Sequence, residues 1–245
     1  MLSERPWNLV ATVWLFAMVF ATLCLAMVST SVIELLKLGG SEDQRRFLEM
    51  VIMGLSFQVG ALIWIWIYVR EAGISLKEAF GLSSGSPVRA VVLGLAAGIL
   101  FLPFAWGTQQ ICSGIMTWLR LDPNPQAVVE ELSGEGLSIW KQLFFGVISI
   151  ILAPVAEESF FRGIIYPTVK QAGFPRLALW GTAALFGLFH INVATFVPLA
   201  LFGVALSLLY EKTNNLLTPI CAHSIFNTIN FFLLIFQEPL SRLFK

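Results

Sequence analysis

Charge is scarce in this sequence. Only 12% of its 245 residues are Asp, Glu, Lys or Arg, against about a quarter in an ordinary soluble domain. That excludes a water-soluble globular protein, because too little polar surface is available to cover one. The 15 basic and 15 acidic residues balance to a formal charge of zero, which excludes the basic field that a nucleic-acid partner requires. Cysteine is also sparse. Cys24, Cys112 and Cys221 lie far apart, with no C-x-x-C pair, so neither a disulfide framework nor a thiolate zinc site is encoded; they read as small buried hydrophobes. There are two histidines, His190 and His223, and no H-E-x-x-H segment, which excludes the zincin arrangement of ligands on one helix. No internal repeat is visible, and inverted repeats or paired broken helices, which a transporter would carry, are missing as well.

What the chain does have is long apolar runs. It is 57% hydrophobic, with mean hydropathy +0.81. The pattern predicts an all-α, multi-pass transmembrane bundle of seven or eight helices, a single domain over residues 1–245 with a polar cavity inside the membrane. The predicted spans are Leu9–Leu36, Met50–Val69, Ala90–Trp118, Ile139–Tyr166, a short one at Leu177–His190, Asn192–Tyr210 and Leu216–Phe236, most of them near the ~20 residues a bilayer needs. The first run is too long for a signal-peptide core and reads as a retained span. Between the spans the sequence predicts a polar loop over Gly39–Arg46, a short interfacial helix around Ile74–Leu82, and a long polar connection, Arg120–Ser138, with a short helix bearing Glu130 and Glu131. Gly94 and Gly98, four apart, allow close helix contact, and Pro103 predicts a kink. The tail Gln237–Lys245 is polar and amphipathic.

Ionisable groups at membrane depth are expensive and mark function. The stretch Ala153–Tyr166 holds two adjacent carboxylates and an arginine in an apolar setting. Glu158 and Arg162, four apart, share a helix face and can pair; Glu157 is turned about 100° away and is free to point elsewhere. His223 and Asn227 share a face of the last span, and Phe186 sits one turn before His190. A glutamate, two histidines and an asparagine from three helices are the parts of a hydrolase that activates water. A desolvated carboxylate serves as general base near neutral pH, one histidine orients the water, and the other histidine with the amide donates to the oxyanion. No spacing pairs Ser159 or Ser224 with a base. The same set, Glu157, His190 and His223, also suits a zinc ion with an open position for water. The plainer reading of each membrane histidine, and of Asn227, is interhelical hydrogen bonding.

The residues Glu157-Glu158-Ser159-Phe160-Phe161-Arg162-Gly163, Phe186-Gly187-Leu188-Phe189-His190 and His223-Ser224-Ile225-Phe226-Asn227 are the E-E-x-x-x-R, F-x-x-x-H and H-x-x-x-N motifs, in order, of a known group. In them the chain resembles the CAAX-protease and bacteriocin-processing (CPBP) family of intramembrane endopeptidases, which includes the Ras-converting CAAX endopeptidase. The resemblance spans Ile139–Phe236, implying a catalytic core over residues 139–236 with N-terminal helices over 1–138. It implies a helical membrane bundle whose cavity opens toward the membrane and one aqueous face. It further implies that Glu157 and His190 activate the water, that His223 and Asn227 form the oxyanion site, and that Glu158, with Arg162 and Phe186, supports them. The implied substrate is a peptide or a membrane-anchored, for example prenylated, protein, and the implied location a prokaryotic plasma membrane. No cofactor is required in the glutamate–water mechanism, although the family is often labelled metalloprotease and zinc is the metal at issue. The alternatives are a non-catalytic scaffold, a bacteriocin-immunity protein, or a transporter whose carboxylates relay protons.

Overall fold

The computed structural model describes residues 2–123, 129, 132 and 138–243, without the side chains of 237–243; the predicted helix carrying Glu130 and Glu131 lies outside the described residues. The described chain is helical without strands. In order come α1 (Leu9–Leu35), α2 (Glu42–Glu71), the single-turn α3 (Leu76–Ala79) and α4 (Pro87–Trp118). They are followed by α5 (Ile139–Gln171), α6 (Pro175–Phe189), α7 (Val193–Thr213) and α8 (Leu217–Leu243). Six of these are long and apolar enough to cross a membrane: α1, α2, α4, α5, α7 and α8 through Phe236. Trp14, Leu100, Trp140 and Val193 stand exposed on the outer faces, as lipid-facing side chains do. The chain is an integral, multi-pass membrane protein.

The helix ends follow from local chemistry. Asn8 accepts from the N–H groups of Val10 and Ala11 to start α1. Ser41 and Gln44 form a reciprocal capping box that satisfies two orphan donors. Helix α2 therefore begins at Glu42, inside the stretch whose polar composition predicts a loop to Arg46. The same device, Ser75 with Glu78, starts α3, where the interfacial helix is predicted. Helix α4 continues through Pro103. The backbone of α8 continues past Phe236 to Leu243, into what reads in sequence as a separate tail.

One predicted span is corrected. Helix α6 has 15 residues, about 22 Å at 1.5 Å per residue, well short of a ~30 Å hydrocarbon core. It ends because Ile191 adopts a left-handed backbone (φ 47°) and Asn192 caps the next helix through the N–H of Thr195. His190 is the residue at that turn.

Helix α5 lies at the centre, packing on α1, α2, α6, α7 and α8. Every residue from Ala156 to Thr168 is buried, as expected of a helix surrounded by protein on all sides. Its ladder is not uniform. Ile148–Leu152 and Ser159–Ile165 form wider π-type turns, a geometry that recurs at functional sites. In the first, the Ala153 N–H reaches back to the Ile148 carbonyl. The next partner for Ser149 in that register is Pro154, which has no N–H, and the Asn227 amide donates to the Ser149 carbonyl instead, at 2.8 Å. The Trp7 indole N–H donates to the Gly163 carbonyl at 2.8 Å. Two backbone carbonyls of α5 are thus used to fasten α8 and the N-terminal segment to it.

The outer helices are fixed by small residues. A Cβ on Gly94 would lie 2.4 Å from the Thr218 carbonyl oxygen, and one on Gly98 would lie 2.3 Å from that of Ala222. The α4–α8 contact is therefore backbone against backbone, as the glycine spacing predicts.

Candidate active site

The polar residues of α5 divide between two neighbours. Glu158 has no exposed surface and neither has Arg162. The Arg162 guanidinium donates to Glu158 Oε1 at 2.8 Å and to the Gly203 carbonyl of α7 at 3.1 Å. The one-turn spacing seen in sequence therefore yields a fully buried ion pair. Gly203 has no side chain for a physical reason: a Cβ there would stand 3.0 Å from an Arg162 nitrogen. The guanidinium also lies 4.4 Å from the centre of the Phe186 ring, a cation–π distance.

His223, 3% exposed, donates its Nδ1–H to the same Glu158 Oε1 at 2.9 Å. Its other nitrogen, Nε2, then faces Glu157, 4.0 Å from Oε2. Glu158 thus orients the imidazole while Arg162 balances the carboxylate.

Glu157 turns away from that pair, toward α2. It is 8% exposed. Its Oε1 accepts from the Gln58 amide at 3.3 Å. Its Oε2 has no hydrogen-bond partner among the described residues, as is also true of Glu158 Oε2 and Gln58 Oε1. Buried polar atoms normally find partners, so such a concentration of unmet ones marks a place where something else binds.

His190 is half-buried at the end of α6, and its Nδ1–H donates to the Phe186 carbonyl at 2.8 Å. A carbonyl accepts only an N–H, so the neutral ring carries its lone pair on Nε2. Phe186 packs edge-on against both imidazoles, with ring centres 5.0 Å from His190 and 5.6 Å from His223. Both histidines therefore flank one phenylalanine on one side of the bundle. Asn227 stands one turn beyond His223 on α8 and spends one amide hydrogen on Ser149.

The structure brings Glu157, Glu158, Arg162, His223 and Phe186 into direct contact, with His190 joined through Phe186 and Asn227 adjoining along α8. Among the described residues, no group of three or more His, Cys, Asp or Glu side chains is arranged to hold an ion. The donor that sequence reasoning missed is Gln58. It is the one amide in the apolar run Met50–Val69, and a mid-span amide is itself a signal.

Comparison with known proteins adds the following. Residues 139–229 match the model of the family described as type II CAAX prenyl endopeptidase Rce1-like. The chain is 26% identical over 169 residues to a Bacillus subtilis (strain 168) protein named "Putative membrane peptidase YdiL", a match covering 66% of this chain and 60% of that protein. No solved structure matches the chain.

Proposed function

We propose, from the match of residues 139–229 to the Rce1-like family model, that the protein is an intramembrane endopeptidase in which Glu157 activates a water molecule. The observation that carries this is the asymmetry of the two carboxylates. Glu158 is committed to Arg162 and to His223, whereas Glu157 has a neutral amide as its hydrogen-bond partner and an unmet Oε2 facing His223 Nε2. A carboxylate whose hydrogen-bond partner is neutral, inside an apolar bundle, is suited to take a proton.

The water gives one hydrogen to Glu157 Oε2, with His190 standing beside it at the end of α6. Its oxygen attacks the amide carbon of the substrate while one of its protons passes to Glu157. The resulting oxyanion is met by the second amide hydrogen of Asn227 and by His223, whose Nε2 donates when the ring is the imidazolium, since Nδ1–H is already given to Glu158. The C–N bond then breaks, the proton on Glu157 goes to the departing nitrogen, and an acid and an amine are left. No step is written through a metal, and chelation tests that choice. The substrate class is a membrane-associated peptide or protein, with a prenylated C-terminus as the first to be tried.

The test is cleavage of an internally quenched farnesylated peptide ending in a CAAX sequence, alongside an unprenylated peptide library, by protein in liposomes. Cleavage that is lost in Glu157→Gln and His190→Ala, and unchanged after chelation, is expected. Retention of parental cleavage by both variants would overturn the assignment.

A further inference from the structure

Gln58 lies on α2, well outside the matched residues 139–229. Its amide nitrogen donates to Glu157 Oε1 at 3.3 Å, and its side-chain oxygen is buried with no partner among the described residues. The residue is 8% exposed. The turn above it, Ala61, is fully buried, and Phe57 beside it packs on the rings of Phe160 and Phe189. The side chain is therefore held by a close-packed interface. We propose that Gln58 is a positioning residue for the reaction: it fixes the Glu157 carboxylate through its N–H and offers its oxygen as a second acceptor to the attacking water. This deepens the hydrolase assignment above and rests on it.

The chemistry follows from counting donors and acceptors. An ionised carboxylate only accepts. Gln58 Oε1 and Glu157 Oε2 are both buried acceptors lacking a donor, on side chains already joined by a hydrogen bond. A water molecule has two hydrogens, one for each. Held in that way, the water is oriented before the substrate arrives, its lone pairs directed away from both acceptors. The proton it loses is the one lying toward Glu157, because an amide oxygen is far too weak a base to take it. Gln58 thus separates the two hydrogens, one to hold and one to transfer. Orientation of this kind acts on the chemical step and leaves substrate affinity unchanged.

The amide also binds this carboxylate without bringing a charge of its own. A neutral donor satisfies one oxygen while leaving the other available. A lysine or arginine in place of Gln58 would pair with Glu157 as Arg162 pairs with Glu158, and the base would be lost.

The experiment compares the parent with Gln58→Met, which keeps the chain length and loses both polar atoms, and Gln58→Glu, which keeps the shape and replaces the neutral amide with a second carboxyl. The farnesylated quenched peptide serves as probe. In both variants kcat per folded molecule is expected to fall on the order of 10- to 100-fold, with KM unchanged. A structural role would lower the unfolding temperature and leave kcat per folded molecule intact, which would overturn the proposal. A second readout is independent of cleavage. The infrared difference between the parent and Glu157→Gln isolates the Glu157 carboxyl band, and that band should move in Gln58→Met. If it stays in place, Gln58 does not position Glu157. If Glu157→Gln itself keeps full cleavage, the hydrolase assignment fails, and the band still decides the contact. Should one variant fail to fold, the other carries both measurements.

Discussion

Two adjacent carboxylates on one helix face different worlds. On the α7–α8 side, Glu158 is fully buried against a guanidinium and an imidazole, both bonded to the same oxygen. On the α2 side, Glu157 meets a neutral amide. The difference teaches what each seam is for. Removing water from a charge costs several kcal/mol unless another charge compensates it. The Glu158 side is compensated, and its arginine is locked between Gly203 and Phe186. The Glu157 side is left partly uncompensated, which suits a group that must change protonation state during turnover.

The sharpest way to break this contrast is to exchange the losses. Glu157→Gln is expected to lower kcat by about 10²- to 10⁴-fold and to leave thermal unfolding in detergent unchanged, as read by cleavage assay beside a melting curve. Arg162→Met should do the reverse. Stranding the Glu158 charge costs about 3–5 kcal/mol of stability, visible as a large fall in unfolding temperature, and activity should fall with the folded fraction. If the melting temperature drops for Glu157→Gln and holds for Arg162→Met, the assignment of the two seams is inverted.

Smaller changes sharpen the comparison along α5. Asn227→Leu leaves the Ser149 carbonyl without its donor and should cost roughly 1–3 kcal/mol. If the same amide also meets the oxyanion, as proposed, kcat per folded molecule should fall too, and a loss confined to stability would remove Asn227 from the chemistry. Trp7→Phe removes the hydrogen bond to Gly163 and keeps the ring. Its expected cost is about 1 kcal/mol, rising toward 3 if no water reaches the carbonyl, with kcat unchanged. That last substitution tests whether the N-terminal strap is purely mechanical.

Much of this was legible in residue order. Six apolar runs lie on spanning helices because length and hydropathy alone decide whether a segment can cross a bilayer. The Leu177–His190 run misled by composition: it is apolar throughout, but the left-handed turn at Ile191 stops the helix at a length that cannot span. The Gly39–Arg46 stretch misled in the other direction, since polar composition hid a capping box that needs only Ser41 and Gln44. At the site, four-residue spacings placed Glu158 with Arg162 and His223 with Asn227 correctly on common faces, because helix periodicity is local. The division of work between Glu157 and Glu158 was only partly so. Periodicity turned them about 100° apart, but which neighbour each would meet depends on where α2 and α8 dock.

By itself, the sequence determined that this chain enters a membrane, that its helices run where the apolar segments run, and that its few ionisable residues share defined helix faces, since all three depend on the chain's own period and solubility. Only the tertiary structure decided that Arg162 is closed off by Gly203, that Asn227 serves the carbonyl Pro154 leaves unpaired, and that an amide from α2 reaches Glu157. Those contacts join residues 41 to 99 positions apart, and no local rule of backbone or side chain selects a partner across such distances; packing of whole helices does.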